Sequence, residues 1–218
     1  ADNADICAPI ITKIYNESIL KGEFPAALKY ADMTPGHKKD DKTSKENYRP
    51  VSILPTVSKI FEKAMYKDIE NYMKPFLSPY LCGFRKGFST QYCLIAMIEK
   101  MKKSLDKDHH AAALLTDLSK AFDCINHELI IAKLDAYGFS HSSLTYMHSY
   151  LSERKQRTKV NNSYSSWSTP DTGVPQGSIM GPPVFNIDIN DLFYLLEDNN
   201  MANYADDNTP HETGECLE

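Results

Sequence analysis

Three aspartates in this chain of 218 residues are placed to do chemistry. Asp117 follows the longest purely aliphatic run, Ala111 to Leu115, and Thr116, so a short buried strand would carry its carboxylate to the rim of a sheet. Asp206 and Asp207 follow Tyr204 and Ala205 in NYADDNTP, which reads as strand, tight turn and strand. Adjacent carboxylates near a third one repel unless a counter-charge is present, and a pair of divalent metals supplies it. Hard oxygen ligands favour Mg²⁺, with Mn²⁺ as a substitute. Two metals bridged by carboxylates stabilise the attacking and leaving oxygens of an in-line phosphoryl displacement, so the chemistry is nucleotidyl transfer or phosphodiester hydrolysis. An adjacent aspartate pair at a turn is more often an Asx turn or a solvated loop, and Asp123 reads as a helix-approach cap rather than a ligand.

The elements that must position these groups fall into two stretches. In the first, Ile6, Ile10 and Ile14, with Ile11 and Tyr15 alongside, mark an amphipathic helix that stops at Gly22 and Pro25. Residues 35–47 contain no apolar side chain and read as a solvated loop or a hairpin tip. Helices fit Thr56 to Met73 and Gln91 to Leu105, each with a recurrent apolar face. After Ala111 the character changes. Helices fit Asn126 to Tyr137, with Asn126 as N-cap, and Ser140 to Leu151. Alternation over Arg157–Val160 and Tyr164–Trp167 suggests a strand pair, GVPQGS a loop, and Val184 to Leu196 a further helix.

Composition bounds the rest. Hydrophobic residues make up 42% and charged residues 24%, a globular balance that excludes disordered and fibrous classes. No apolar run approaches the roughly 20 residues of a membrane-spanning helix, so no membrane partner is expected. Five cysteines without a C-x-x-C pair argue against a disulfide framework or a zinc site, and point to a reducing intracellular compartment, cytoplasmic or nuclear. The net charge of −5 is uneven: residues 1–110 sum to +4 and residues 111–218 to −9. A basic first half suits contact with a polyanion, and an acidic second half suits metal-binding carboxylates.

LLTDLSKAFDCINH, GVPQGSIMGPPVF and NYADDNTP occur in the order and at the intervals typical of reverse transcriptases. NYRPVSILPTVSKIFEK and CGFRKGFST resemble the amino-terminal signature of the non-LTR, LINE-type retrotransposon polymerases. The resemblance runs from about Pro25 to Thr209. It implies an α+β, right-hand polymerase fold, helix-rich with a small antiparallel palm sheet. Residues 1–110 would be the mostly helical, fingers-like region and residues 111–218 the palm-like region, with part of 138–175 belonging to the fingers. The implied partners are an RNA template, a DNA primer and deoxynucleoside triphosphates.

The resemblance also implies roles. Asp117 and Asp206 would do most of the metal ligation, with Asp207 contributing less directly. Phe122, five residues after Asp117, would exclude a 2′-hydroxyl, the alternative being an aromatic core position. Arg49 would grip the incoming triphosphate, with Lys42 or Lys45 assisting or simply solvated. Gln176 and Gly177 would pack beside the nascent base pair, Tyr204 would lie near the primer end, and Arg85 would face the template or make a surface ion pair.

The chain departs from the family pattern in two places. Pro182 is followed by Pro183, which would disrupt a helix interior unless the helix starts there. NTPHETGE carries Pro210 and mostly polar residues, so poor pairing of the return strand is expected. With eleven residues after Asp207, a thumb is not expected within the sequence. A catalytically inactive retrotransposon remnant that keeps the fold and binds RNA nonspecifically is the alternative to an active polymerase.

Overall fold

The computed structural model describes residues 3–118, 120–196 and 200–215, and the chain divides into two compact units. The first comprises residues 1–69 and 122–181. Its helices are α1 (Ala4–Lys21), α2 (Thr56–Met73), α4 (His127–Ala136) and α5 (His141–Leu151), with α3 (Thr90–Leu105) lying between in sequence. Its sheet runs β2–β1–β5–β6, from β1 (Tyr30–His37), β2 (Tyr48–Ile53), β5 (Lys155–Val160) and β6 (Ser163–Tyr164). β1 pairs antiparallel with β2 and parallel with β5. The pairing of His37 with Tyr48 and the Asp41–Thr43 Asx turn make residues 38–47 a hairpin tip.

Why these helices form where they do is local chemistry. Asn126 and Ser140 each accept a backbone N–H three residues on, from Leu129 and Ser143, which satisfies a donor the first helical turn leaves free. α1 ends at Gly22, whose φ of 68° suits glycine and whose N–H returns to Ile19. α2 buries Phe61, Met65 and Ile69 at spacing four. Phe24 meets Phe61, Tyr146 and Tyr150 edge-on or tilted with ring centroids 5.0–6.1 Å apart, forming the aromatic centre of this unit.

The second unit comprises residues 70–121 and 182–218. It contains α3 and a sheet built on β8 (Asp207–Gly214), which pairs antiparallel with β3 (His110–Ala113), β4 (Thr116–Asp117) and β7 (Met201–Tyr204). α6 (Gly181–Ile189) and α7 (Asp191–Leu195) complete the described elements, and Val184, Phe185, Ile187 and Phe193 are buried. Among the described residues no helix is long and apolar enough to cross a membrane.

Several expectations need correction. The Ile6–Ile10–Ile14 stripe of α1 faces outward; the packed face is Ile11, Tyr15 and Ser18, with Tyr15 edge-on to Phe61 at 5.0 Å and Ser18 Oγ 3.1 Å from the Tyr146 hydroxyl. The run ending in Asp117 is not a buried strand. It splits into β3 and β4, and Leu114 and Leu115 are 65% and 81% exposed, because pairing along an edge of β8 fixes a backbone without covering its side chains. The return strand does not pair poorly: β8 has partners on both edges, and the Pro210 carbonyl still accepts from Leu114 N–H at 2.9 Å. Pro182 and Pro183 fall in the first turn of α6, where their missing donors cost nothing.

Candidate active site

The carboxylates lie in the second unit, around the start of β8. β8 sets Asp117 directly opposite Asp207 on one side and Tyr204 opposite Asp207 on the other. Asp206 lies in the intervening turn, half-buried, while Asp117 and Asp207 are exposed. The turn is tight enough to hold Ala205 at a φ of 57°, a left-handed conformation that a non-glycine residue adopts only when its surroundings impose it.

Those surroundings are specific. Asn203, fully buried, donates its amide to the Ala205 carbonyl and the Asn208 side chain, both at 2.9 Å, and Asn208 donates to the Asp206 carbonyl at 3.2 Å. Thr116 Oγ1 donates to the Asn208 carbonyl at 2.8 Å, tying β4 to the same place. Gly83 abuts the turn: a Cβ built there would stand 2.2 Å from the Ala205 nitrogen. Asn186 fixes Gly83 by donating to its carbonyl at 2.9 Å. Arg85, two residues on, donates Nη1 to the carbonyls of Ser78 and Leu81 at 2.6 and 2.9 Å and stacks over Phe88 at 4.3 Å. It makes these contacts rather than the surface ion pair offered as its alternative, among the described residues.

Hard-oxygen donors on facing strand positions are the set that Mg²⁺ uses, held through one or two carboxylates together with substrate phosphates rather than in an all-protein cage. The pair Asp117 and Asp207, with Asp206 beside it, fits that description in donor type and register. Among the described residues no three His, Cys, Asp or Glu side chains close into a metal cluster.

The other expected residues lie in the first unit. The Pro175–Ser178 loop is pinned to β2: Ser52 N–H donates to the Gln176 carbonyl at 2.8 Å. Gly177, at φ 116°, sits where a Cβ would meet the Ser52 carbonyl at 2.9 Å, so only glycine fits. Gln176 donates Nε2 to both oxygens of Asp123 at 3.1 and 3.3 Å. Asp123 is therefore not the helix cap; Asn126 is. Phe122 is half-buried in a turn, with its carbonyl bonded to Val174 N–H at 2.9 Å. Arg49 is exposed on β2 opposite Gly36, and Lys42 and Lys45 are exposed on the hairpin tip.

Below this loop lies a group the sequence reading missed. Glu62 is fully buried on α2, accepting from Ile179 N–H at 2.7 Å and from Ser58 at 3.2 Å. Burial raises its pKa, against opposing contributions from Ile179, Arg154 and its hydroxyl neighbours. Its one sequence signal was a charge within four residues of Ser58 on an otherwise apolar helix face. Gly83, Asn203 and Asn208 were likewise overlooked, since a small or amide residue beside a turn has no distinguishing pattern until its contacts are known.

Residues 37–214 match the family model described as "Reverse transcriptase (RNA-dependent DNA polymerase)". The chain belongs to the reverse transcriptase family. Among curated relatives, it is 30% identical over 204 residues to a probable RNA-directed DNA polymerase from transposon BS of Drosophila melanogaster, covering 89% of this chain and 22% of that protein. It is 28% identical to the RNA-directed DNA polymerase from mobile element jockey of the same fly, covering 93% of this chain and 23% of that protein. The chain thus spans about a fifth of the length of these relatives. The resemblance to non-LTR retrotransposon polymerases holds on these matches. An apo telomerase structure from Candida tropicalis, truncated from its C-terminal domain, aligns with a TM-score of 0.56 at 10% identity over 86% of this chain and 44% of that one, a likeness of fold. This reverse transcriptase domain has the expected α+β fingers-and-palm class, with a small antiparallel sheet under the carboxylates.

Proposed function

We propose that this domain is the nucleotidyl-transfer portion of an RNA-directed DNA polymerase, extending a DNA primer 3′-hydroxyl on an RNA template with deoxynucleoside triphosphates. The observation that carries the reading is the register on β8, which sets Asp117 opposite Asp207 beside the Tyr204–Asp206 turn. Asp117, Asp206 and Asp207 would hold two Mg²⁺ ions, which when bound neutralise triphosphate charge and lower the pKa of the primer hydroxyl.

The chain's own residues bind and orient. Arg49 takes phosphate oxygens with its exposed donor fork. Gln176 and Gly177 form a rigid shelf beside the new base pair, held by Ser52 and Asp123. Phe122 excludes a 2′-hydroxyl, Tyr204 lies at the primer end, and Arg85 braces the template side. Residues 1–110 form the fingers-like region and 111–218 the palm-like one, part of 138–175 going with the fingers, and the inclusion of residues 122–181 in the first unit supports that last point.

The test is primer extension on a homopolymer RNA template, comparing the chain with Asp206→Asn. A lost metal ligand worth about 4 kcal/mol lowers the rate by roughly three orders of magnitude while RNA affinity stays unchanged. A chain that binds RNA in a salt-dependent way but never extends a primer would establish the inactive-remnant reading instead.

A further inference from the structure

Beside the catalytic hairpin, in the second unit, two cysteine side chains meet. Cys82 is buried, with its sulfur 3.4 Å from the Tyr80 carbonyl, and Cys93 is half-buried in the first turn of α3. The two thiols are in hydrogen-bond contact, and the Cys93 sulfur also accepts the backbone N–H of Asn203, one residue before Tyr204. Both cysteines line an open cleft of about 260 Å³, bordered by Tyr92, Lys100 and His211, through which a small reagent reaches the half-buried Cys93, with Cys82 buried behind it. The remaining described cysteines, Cys7 and Cys124, are exposed and belong to the first unit.

We propose that Cys82 and Cys93 are a peroxide-sensing dithiol, closing to a disulfide beside the catalytic hairpin. Cys93 is the attacking thiol: a hydrogen bond from Cys82, with a further one from the Asn203 N–H, holds its pKa down to about 7, whereas the Cys82 thiol is raised by its contact with Cys93 and by burial. The thiolate is the nucleophile, so the division of labour follows from which sulfur is ionised. In the first step the Cys93 thiolate attacks hydrogen peroxide; the O–O bond breaks, a sulfenic acid forms and the departing hydroxide takes a proton to become water. In the second, the Cys82 sulfur attacks that of Cys93, losing its proton to the expelled hydroxide. Two thiols and one peroxide give one disulfide and two waters. The disulfide ties the segment bearing Gly83 to α3 and removes the charged acceptor of the Asn203 N–H, so the oxidation state is felt where the turn is held.

The experiment treats the full chain with graded hydrogen peroxide, blocks remaining thiols by alkylation, digests with trypsin without reduction and identifies joined peptides by mass spectrometry. Cleavage after Arg85 and Lys86 separates the two cysteines, so a Cys82–Cys93 link is unambiguous. The expected result is that linked peptide pair, two hydrogens lighter than its parts, forming at least tenfold faster than oxidation at Cys124. In Cys82→Ser, Cys93 instead accumulates as a sulfenic acid trapped by dimedone. The proposal is overturned if Cys93 in the unsubstituted chain reacts no faster than Cys124, or if it is oxidised to the sulfinic acid or joined to another cysteine while Cys82 stays free.

Discussion

A methyl group added at Gly83 would stand 2.2 Å from the Ala205 nitrogen, a separation real Cβ contacts do not reach, and the obstacle is backbone rather than a side chain that can swing away. Gly83→Ala should therefore lower stability by about 2–4 kcal/mol, and Gly36→Ala, whose nearest neighbour is 3.6 Å away, should stay within about 0.5 kcal/mol; thermal denaturation of both compares them. Glu62 gives a second residue-level expectation. Its folded pKa is raised by burial, so its contribution is most favourable below the ordinary glutamate value and is lost as pH climbs through the raised one. Glu62→Gln, which keeps an acceptor for Ile179 N–H, should remove that fall in stability above the ordinary glutamate value, as chemical denaturation at stepped pH would show. For substrate choice, Phe122→Ala should relax discrimination against ribonucleotides by at least about tenfold if its ring excludes a 2′-hydroxyl, read from competing incorporation of the two sugars.

At the scale of elements, α4 rests on one cap: Asn126→Ala should cost about 1 kcal/mol, measured by denaturation, because the Leu129 N–H loses its acceptor. Helices were the legible elements. The range Thr56–Met73 emerges from apolar spacing alone, since burial of one face and helical period are the same signal in different forms. Strands were less so. The polar sequence of β8 reads as a poor partner, yet backbone groups do the pairing there and its side chains need not be apolar. The Ala111–Leu115 run misled in the opposite sense: its apolar side chains suggest burial, but pairing on one edge leaves Leu114 and Leu115 in water. In the candidate site the aspartates, Gln176 and Gly177 were legible as motifs. The groups that hold them, Asn203, Asn208, Gly83 and Glu62, have partners 2 to 122 residues away, and the distant contacts leave no local trace.

For the whole molecule, the excess of positive charge in residues 1–110 and of negative charge in 111–218 makes the proposed RNA binding an electrostatic matter. Affinity for single-stranded RNA should fall steeply as salt rises, and Lys42→Glu with Lys45→Glu, both exposed on the hairpin tip, should flatten that slope; filter binding across a salt series measures it. One strand meanwhile acts as the ruler for both segments of the candidate site, since β8 aligns Asp117 from one neighbour and Tyr204 from the other. Past Asp207, Asn208 and the buried His211, its side chains carry less of the pairing than the backbone spacing does. Removing or inserting a single residue there would shift both partners at once, so the length of this strand is held more strictly than the identity of its outward-facing residues.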